Sequence, residues 1–322
     1  MRVLVLHSDV APDAPPDEQD TLLQAAAIEA SLKALGHGAS VATFILDPAK
    51  LGALVQGRQA DVVFNLVESV WGRGAYAPVA AQMLTELGIA YTGARGATLA
   101  ATSDKLLSKR LMAGAGLPTA AWSEGPGWNE IGASGQWIVK SADEDASLGL
   151  DEHAVVCGAE AVMQRAAFCG AKYGGRWFAE AYIDGREFNV AMYERDGGPV
   201  VLPIGEMIFE DWKEDRPRIV GYAAKWDAAA TEYQTTPRVF DWNTHEAELY
   251  ATLEQLSKQC WELFGCRGYA RVDFRVDKSG HPFILEVNAN PCLEPEAGFA
   301  AAAERAGLTY GAIVEQIVRS AV

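Results

Sequence analysis

The 322-residue sequence lacks long apolar runs and has few cysteines. No stretch approaches the roughly eighteen consecutive apolar residues of a membrane-spanning helix. The apolar run in MRVLVLHSDV is about five residues long, which is too short for the core of a secretory signal. The five cysteines include no C-x-x-C pair, which is typical of proteins in a reducing compartment. These absences predict a cytoplasmic protein without a membrane segment.

Basic residues are also in short supply. Lys and Arg number 27 against 43 Asp and Glu, so the formal net charge is -16. Proteins that bind nucleic acids usually carry a clustered basic excess that neutralises phosphates, so this composition argues against a nucleic-acid partner. We therefore expect a small-molecule ligand, with local cations wherever that ligand is anionic.

The amino-terminal region alternates apolar strands with helices. Strands are predicted at residues 3–7, 40–46 and 61–66, and helices at 21–35 and 75–88. Such alternation predicts an α/β domain with a doubly wound parallel sheet. The first loop, SDVAPDAPPDEQD, lacks a G-x-G-x-x-G pattern, so a dehydrogenase with a dinucleotide site is not favoured.

The remainder of the chain has an α+β pattern. Ser103 is predicted to cap a helix over residues 104–115. Strands are predicted at 136–141, 177–183, 187–193 and 200–204, and a helix at 245–264 precedes two further strands and two short helices. Hairpins and separate helices of this kind indicate an antiparallel sheet with helices packed on it.

Polar side chains share one face of a predicted hairpin near the carboxyl end. Because strand side chains alternate between faces, Glu286 and Asn288 of LEVNANP point the same way. Arg271, Asp273 and Arg275 share a face of the preceding strand for the same reason, and DKSG between the strands is a good hairpin turn. We expect the two carboxylates and the carboxamide to lie close together.

This cluster has two interpretations. Two neighbouring carboxylates repel each other unless a cation lies between them, and hard oxygen ligands suit Mg²⁺ completed by water and substrate phosphates. In the alternative, Arg271 or Arg275 forms salt bridges with the acids on a solvated sheet face.

Lysines and glutamates elsewhere bear on that choice. Lys140 ends an apolar strand and Lys105 lies in the first turn of a helix, two unfavourable places for a cation that a bound phosphate would stabilise. Glu180 and Glu187 bracket AYIDGR. In one interpretation they accept hydrogen bonds from a nucleoside, and in the other they are solvated side chains of a hairpin.

Several segments occur in an order that points to one superfamily. They are YTG with SDKLLSKRLMAGAGLPTAAW, IVKS, FAEAYIDGREFNVAMY, YAAKW, GYARVDF and LEVNANPCLEPEAGF. Together they resemble the ATP-grasp superfamily and, within it, the D-alanine:D-alanine ligases. The resemblance implies a doubly wound α/β domain over residues 1–92 and a two-lobed ATP-grasp fold, with lobes at 93–177 and 178–322 and ATP between them.

The resemblance also implies roles for individual residues. The residues expected to contact ATP are Lys105 and Lys140 at phosphates, Glu180 at adenine, Glu187 at ribose, Tyr182 and Lys225. The expected ligands of two Mg²⁺ or Mn²⁺ ions are Asp273, Glu286 and Asn288. The expected catalytic residues are Arg271 at the oxyanion, Lys225 near the γ-phosphate, and Ser147, the one hydroxyl left of a serine pair.

The implied chemistry activates a carboxylate. The γ-phosphoryl group of ATP moves onto the carboxylate, and an amine then attacks the acyl phosphate, with two metals and three lysines neutralising charge. Because an acyl phosphate hydrolyses in water, segments at 141–153 and 222–233 are expected to close the site.

Departures from the resemblance fall where substrates are recognised. The N-terminal glutamate motif is absent, and Asp17, with Glu18 and Asp20 as substitutes, falls nearest its place. The NLVES sequence stands where the resemblance expects a histidine in the loop after the third strand, and Glu68 within it is a candidate to meet an ammonium group. Ala297 aligns with a serine that helps to hold the second substrate's carboxylate.

Two further positions follow from the same alignment. Trp226 matches a tyrosine of the closing loop. Cys292 occupies the place of a glycine whose backbone N–H meets the oxyanion, so chemistry at its sulfur is not expected.

The expected function is an ATP-dependent carboxylate–amine ligase of small amino-acid-like substrates, acting as a homodimer. Two alternatives stay open: a ligase for a carboxylate and amine pair other than two D-alanines, and a non-catalytic nucleotide-binding homologue. Use of D-alanine would place the enzyme in the supply of cell-wall precursors.

Overall fold

The computed structural model describes residues 1–132, 135–213, 216–242 and 246–322. Its strands form three sheets: a parallel sheet of three strands near the amino terminus, an antiparallel sheet of four strands, and an antiparallel sheet of six strands. The α/β and α+β classes expected for the two parts of the chain are confirmed. Among the described residues, no helix is both long and apolar enough to cross a membrane.

The amino-terminal sheet consists of β1 (Arg2–His7), β2 (Gly38–Thr43) and β3 (Val62–Leu66), in the order β2-β1-β3. The helices that alternate with these strands are α1 (Pro16–Ala34), α2 (Pro48–Gly57) and α3 (Pro78–Glu86). Every pair of neighbouring strands is parallel, which confirms the predicted doubly wound arrangement.

Helix α1 starts earlier than its sequence indicated. We expected a loop up to residue 20, but the helix begins at Pro16. Proline suits the first helical position because its fixed φ is already helical and its missing N–H would have no partner there. Asp17 and Glu18 then lie in the first turn, where the helix dipole favours negative charge, so they belong to the helix and not to a loop.

Two helices meet at Asp104. Helix α4 (Gly96–Ser103) was not predicted, and α5 (Lys105–Gly114) follows it directly. The predicted cap, Ser103, is wrong, because Ser103 is the last residue of α4 and the Asp104 carboxylate accepts hydrogen bonds from the N–H groups of Leu106 and Leu107, each at 3.0 Å. Aspartate caps a helix as readily as serine, and here only Asp104 has the extended backbone of a cap.

The four-stranded sheet has the order β4-β7-β5-β6. Its strands are β4 (Trp122–Glu124), β5 (Gln136–Ser141), β6 (Val155–Cys157) and β7 (Trp177–Ala181), and α6 (Gly158–Tyr173) lies between β6 and β7 in the chain. Trp137 and Val139 of β5 pack with Val162 of α6 in a small core of their own. The predicted strand at 177–183 ends two residues early, at Ala181.

The six-stranded sheet carries the carboxyl-terminal hairpin. Its order is β11-β10-β8-β12-β13, with β9 paired to β8. The strands are β8 (Gly185–Arg195), β9 (Gly198–Val201), β10 (Gly205–Met207), β11 (Arg238–Val239), β12 (Tyr269–Asp277) and β13 (Pro282–Asn288). The strand predicted at 200–204 is interrupted instead, because Pro203 has no N–H to donate to a neighbouring strand.

Five helices complete this region: α7 (Tyr222–Trp226), α8 (Thr231–Gln234), α9 (Ala247–Phe264), α10 (Gly298–Arg305) and α11 (Tyr310–Arg319). Helix α9 matches the helix predicted at 245–264, although residue 245 lies outside the described residues. The 222–233 segment, expected as a closing loop, is largely helical.

The amino-terminal sheet and the six-stranded sheet share one hydrophobic core. Leu4 and Leu6 of β1 belong to the same buried cluster as Leu99 of α4 and Val272 and Phe274 of β12. Hydrogen bonds reinforce the junction: the Thr98 hydroxyl donates to the Phe264 carbonyl oxygen at 2.8 Å. These contacts hold β12, and with it the polar face of the hairpin, at a set position against the amino-terminal sheet.

Gly268, just before β12, tests this junction. Its φ is +73°, and a Cβ there would lie 2.9 Å from the Gly93 backbone nitrogen. We expect Gly268→Ala to lower the free energy of unfolding by about 3 kcal/mol, because left-handed backbone strain adds to the overlap. Gly197→Ala is the matched control, since Gly197 has φ +80° with open space around it, and should lose only about 1 kcal/mol. Equal losses in urea denaturation would rule out the close approach.

Candidate active site

The hairpin β12-β13 places its polar residues as the alternation predicts. Asp273 pairs with Glu286 and Arg271 with Asn288 across the two antiparallel strands. The turn joins them over residues 277–280, where Gly280 N–H donates to the Asp277 carbonyl oxygen at 3.0 Å. The two carboxylates and the carboxamide therefore form one cluster: Asn288 Nδ2 lies 3.2 Å from Asp273 Oδ2 and 3.3 Å from Glu286 Oε1.

Asp273 is held by nitrogen donors on two sides. Arg271 donates from Nε to Oδ1 at 2.7 Å and from Nη2 to Oδ2 at 2.8 Å, a forked arrangement that fits a planar carboxylate. Asn189 of β8 donates to Oδ1 at 2.8 Å. The salt bridge that was the alternative to a metal is thus present, but on a cluster whose side chains are largely buried and not on a solvated face.

Glu286 is the second carboxylate of the cluster. Burial alone would raise its pKa, but Lys105, Lys225 and Arg271 act on it together and lower the pKa well below its ordinary range. Lys105 Nζ is 3.5 Å away. Glu286 is therefore ionised, and an anionic oxygen faces several cations.

The donor set of the hairpin fits a hard divalent cation. It offers two carboxylates and one carboxamide oxygen on one face, and Mg²⁺ binds to few protein oxygens and completes its shell with water and phosphate. The part of the chain that the structure describes contains no grouping of three or more His, Cys, Asp or Glu residues with the geometry of a metal site, and the hairpin itself has two carboxylates and one carboxamide.

A cleft lies between the four-stranded and the six-stranded sheets. It is lined by side chains from both sheets and from the loop after β5. Among its lining residues are most of those expected at ATP or metal: Lys105, Lys140, Ser147, Glu180, Tyr182, Glu187, Lys225, Asp273 and Glu286. The fold thus brings together in one cavity residues that are up to 181 positions apart, from Lys105 to Glu286.

Lys105 is a buried lysine whose partners are all oxygens. Its Nζ donates to the Glu144 carbonyl oxygen at 3.0 Å and contacts the Asp145 carboxylate as well as Glu286. Burial lowers the pKa of Lys105, but Asp145 and Glu286 outweigh that effect and raise it above the ordinary value. The lysine is therefore a permanent cation at the cavity wall.

Glu180 sits between two lysines inside the cleft. Its side chain is 1% exposed, Lys140 Nζ lies 2.5 Å from Oε2, and Lys109 forms an ion pair with Oε1. Burial raises the pKa of Glu180, but the two lysines outweigh it and the net shift is downward. Lys109 was missed in the sequence, although it follows Lys105 by one helical turn and so faces the same side of α5.

The other residues expected at the nucleoside are anchored by Arg218 and Arg275. Glu187 Oε2 forms an ion pair with Arg275 Nη2 at 3.2 Å. The Tyr182 hydroxyl accepts from the Arg218 backbone N–H at 2.8 Å. Both side chains are therefore held in place at the mouth of the cleft.

The two segments expected to close the site contact each other. Trp226 Nε1 donates to the Ala146 carbonyl oxygen at 3.1 Å, and Tyr222 N–H donates to the Leu150 carbonyl oxygen at 3.1 Å. Ser147 Oγ donates to the carbonyl oxygen of Val220, just before the second segment, at 3.0 Å. Ala146 and Ser147 both have left-handed backbones, with φ of 58° and 61°. Consecutive left-handed residues other than glycine cost about 1 kcal/mol or more each, and such strain is characteristic of functional loops.

A second acidic cluster links α1 to the loops after β3 and β13. Asp20 accepts from Gln24 Nε2 at 2.8 Å and from Cys292 Sγ at 3.1 Å. Glu68 accepts from Thr21 Oγ1 at 3.1 Å and from Gln24 Nε2 at 3.2 Å. Asp20, Glu68 and Cys292, three of the residues expected near the substrates, are thus members of one hydrogen-bond network.

Comparison with known proteins identifies the family. A family model described as the D-ala D-ala ligase C-terminus matches residues 136–319. The D-alanine–D-alanine ligase of Moorella thermoacetica is 29% identical over 317 residues, covering 94% of this chain and 95% of that protein. The uncharacterized protein y4sG of Sinorhizobium fredii is 34% identical over 263 residues, covering 81% and 74%.

The chain belongs to the D-alanine–D-alanine ligase family. The crystal structure of D-alanine–D-alanine ligase from Bacillus anthracis complexed with ATP matches the fold with a TM-score of 0.75 at 20% identity, covering 100% of this chain and 97% of that one. The ATP-grasp fold and the class of carbon–nitrogen-forming ligase expected from the sequence motifs are confirmed.

The acidic residues in the first turn of α1 interact with other residues of this chain. Asp17 accepts from the Tyr222 hydroxyl at 2.7 Å, which ties α1 to α7. Glu18 lies beside it, half-buried, with a pKa raised by burial and by Asp17. Their contact with a substrate stays a prediction.

Cys292 and Ala297 flank a loop that follows the hairpin. Burial holds the pKa of the Cys292 thiol well above its ordinary value, and the neighbouring acids Asp20 and Glu68 raise it further. A protonated thiol is a poor nucleophile, in keeping with the expected absence of sulfur chemistry. Ala297 occupies the cap position of α10 and provides no side-chain hydrogen bond there.

Lys109 gives a direct test of the buried charge cluster. Lys109→Met should lower the free energy of unfolding by about 3 to 5 kcal/mol, because it removes one of two cations from a buried carboxylate. Lys258→Met removes a lysine from an exposed pair with Glu254 and should change stability by about 0.5 kcal/mol at most. Chemical denaturation measures both, and a Lys109 variant as stable as the control would contradict the buried pairing.

Glu68 gives a test by pH. Burial raises the pKa of Glu68 from an ordinary 4.5 to about 7. The folded protein therefore retains a proton that the unfolded chain loses, and wild type loses stability as pH rises from 4.5 to 7. Glu68→Gln removes this penalty, so above pH 7 it should be more stable than wild type by roughly 1 to 2 kcal/mol, with the difference vanishing near pH 4.5.

The measurement is thermal denaturation across that pH range. Glu86→Gln is the control, because Glu86 is exposed on α3 and accepts only from Gln82. A difference between wild type and Glu68→Gln that does not change with pH would refute the burial of a titrating Glu68.

Proposed function

We propose that the chain is an ATP-dependent carboxylate–amine ligase that joins two amino-acid-like substrates through an acyl phosphate and releases ADP and phosphate. The observation that carries the proposal is the convergence of Lys105, Lys140 and Lys225 with Asp273 and Glu286 on one cleft between two sheets. Three lysines at a cavity of a strongly acidic protein provide the local cations that a triphosphate needs.

Asp273, Glu286 and Asn288 would hold two Mg²⁺ or Mn²⁺ ions, as their oxygen donors and shared face allow. When bound, the ions would neutralise phosphate charge during phosphoryl transfer. The chain's own contribution is alignment: Lys105 and Lys140 are fixed by buried acids at the cavity wall and would orient the phosphates.

The reaction has two steps, phosphoryl transfer to a carboxylate and attack of an amine on the acyl phosphate. In the first, a carboxylate oxygen of one substrate forms a bond to the γ-phosphorus while the bond from that phosphorus to the bridging oxygen breaks, and ADP leaves. In the second, the amine nitrogen of the other substrate forms a bond to the acyl carbon, the bond to the phosphoryl oxygen breaks, and phosphate and the amine proton depart.

Arg271 would stabilise the oxyanion between these bond changes. Its guanidinium is held by Asp273, which raises its pKa above the ordinary value despite burial, so it is always charged. Together with the backbone N–H near Cys292 it would form an oxyanion hole, which in other enzymes accelerates reactions by about a hundredfold to a thousandfold per donor.

The loop at 141–153 and helix α7 would exclude water from the acyl phosphate. Trp226 of α7 donates to the Ala146 carbonyl oxygen of the loop, and Ser147 of the loop donates to the Val220 carbonyl oxygen just before α7. Tyr222 of α7 also donates to Asp17 of α1. The loop would have to open for substrates and products to pass.

The substrate side favours a second candidate, a pair other than two D-alanines. Glu68, Asp17 and Asp20 are engaged with neighbours of this chain, and Glu68 lies in the segment that stands where the resemblance expects a histidine. A cytoplasmic homodimer, and the division into residues 1–92, 93–177 and 178–322, are part of the same proposal.

The test is Mg-dependent release of phosphate from ATP, with panels of D- and L-amino acids, followed by mass spectrometry of the products. We expect stimulation by a carboxylate and amine pair, and a product heavier than either amino acid. Asp273→Asn and Glu286→Gln should each lower the rate by about two orders of magnitude, because each removes an anionic ligand of the metal.

Asp196→Asn, at an exposed turn, is the control and should match wild type. Undiminished ATP consumption in the two hairpin variants would overturn the assignment of the metal site. Binding of ATP without turnover on any pair would instead identify a non-catalytic homologue.

A further inference from the structure

One arginine near the hairpin has no ion-pair partner within the described part of the chain. Among the described residues, Arg238 of β11 forms no ion pair and donates no side-chain hydrogen bond, and its Nε atom is buried without an acceptor. Other arginines of the same sheet are paired: Arg186 with Glu206, Arg271 with Asp273. An uncompensated cation in such a place is costly, and a folded protein rarely keeps one without a use.

Two glycines make the space for this side chain. A Cβ on Gly205 would lie 2.9 Å from Arg238 Cδ, and a Cβ on Gly298 would lie 2.9 Å from Nη2. A side chain at Gly298 would displace the guanidinium, and one at Gly205 would displace the aliphatic part of the Arg238 side chain. Gly298 is the first residue of α10, and Ala297 before it contributes only a methyl group, so the guanidinium is the polar side-chain group at this corner.

The neighbours of Arg238 place it beside the polar face of the hairpin. Its side chain lies against Gly205, which pairs with Asn189, and Asn189 in turn pairs with Asp273. The charges of Arg271 and Asp273 and the thiol of Cys292 all act on it, and burial together with Arg271 lowers the pKa of Arg238. It does not line the cleft assigned to the nucleotide, whose phosphates would be met by three lysines. Arg238 therefore lies close to Arg271 and Asp273 but outside the lining of that cleft.

We propose that Arg238 binds the carboxylate of the amine-bearing substrate and so orients its amine toward the acyl phosphate. The proposal rests on the ligase function above and names a specificity-determining residue for it. A guanidinium presents a planar fork of donors that matches a carboxylate, and an amino acid carries its carboxylate two bonds from its amine. The second substrate is accordingly an α-amino acid or a peptide with a free carboxylate near its amine.

The experiment compares Arg238→Met and Arg238→Lys with wild type, using the amino-acid pair found active in the phosphate-release screen. We expect Arg238→Met to raise the KM for the amine-bearing amino acid by about tenfold to a hundredfold while the KM for ATP is unchanged. Arg238→Lys should recover part of the loss. The carboxamide of that amino acid has no carboxylate to bind, so it should be a poor substrate of wild type. For the same reason, its KM should be the same for Arg238→Met as for wild type.

Thermal denaturation separates binding from a structural role. Without ligands, Arg238→Met should unfold at the same or a higher temperature than wild type, because it removes a half-buried cation that forms no ion pair with the described residues. Among the D- and L-amino acids of the panel, the one that serves as the amine-bearing substrate should raise the unfolding temperature of wild type more than that of Arg238→Met. Arg195→Met, an exposed arginine at the end of β8, is the control for both assays and should resemble wild type.

The outcomes are distinct. An unchanged KM for the amino acid, an equal loss with its carboxamide, or a raised KM for ATP alone would overturn the proposal, and the last would assign Arg238 to phosphate. If wild type releases no phosphate with any pair, the ligase function fails. The carboxylate site is then also rejected if no amino acid of the panel shifts the unfolding temperature of wild type more than that of Arg238→Met.

Discussion

The register of β12 against β13 is the constraint on which the rest of the site depends. It sets Asp273 opposite Glu286 and Arg271 opposite Asn288. A slip of one residue would turn these groups into the core and bring Val272 and Phe274 out of it. Because those apolar side chains pack in the core shared with the amino-terminal sheet, the energy that stabilises the fold also fixes the position of the oxygen donors.

Compensation of buried charge organises the cleft around this hairpin. Glu180 is neutralised by two lysines, Asp273 by a forked arginine, and Glu286 by several cations at longer range. A chain with a net charge of -16 thus concentrates positive charge on one internal surface. Acids hold the lysines in position, so an entering polyanion would meet cations that are already oriented and need little rearrangement.

The two halves of the site differ in how they relate to the family. The nucleotide half keeps the residue types of the motifs that identify the family, at the cleft between the sheets. The substrate half has its own network, in which Asp20, Gln24, Glu68 and Cys292 join three separate segments. Arg238 adds a cation beside Ala297, where the resemblance expects a serine. The proposed function would account for this division by the family's activation chemistry acting on a different second substrate.

The sequence by itself determined the classes of its elements, the hairpin with its polar face, and the family, because alternation and motif order are local properties of the chain. It misplaced the start of α1 and the cap of α5, where Pro16 and Asp104 compete with neighbouring residues for the same role. Only the tertiary structure decided that Lys109 pairs with Glu180, that Cys292 meets Asp20, and that Arg238 has no ion-pair partner among the described residues. Those facts depend on which distant segments pack together and on how much water their packing removes, and neither is encoded in the spacing of residues along one strand or helix.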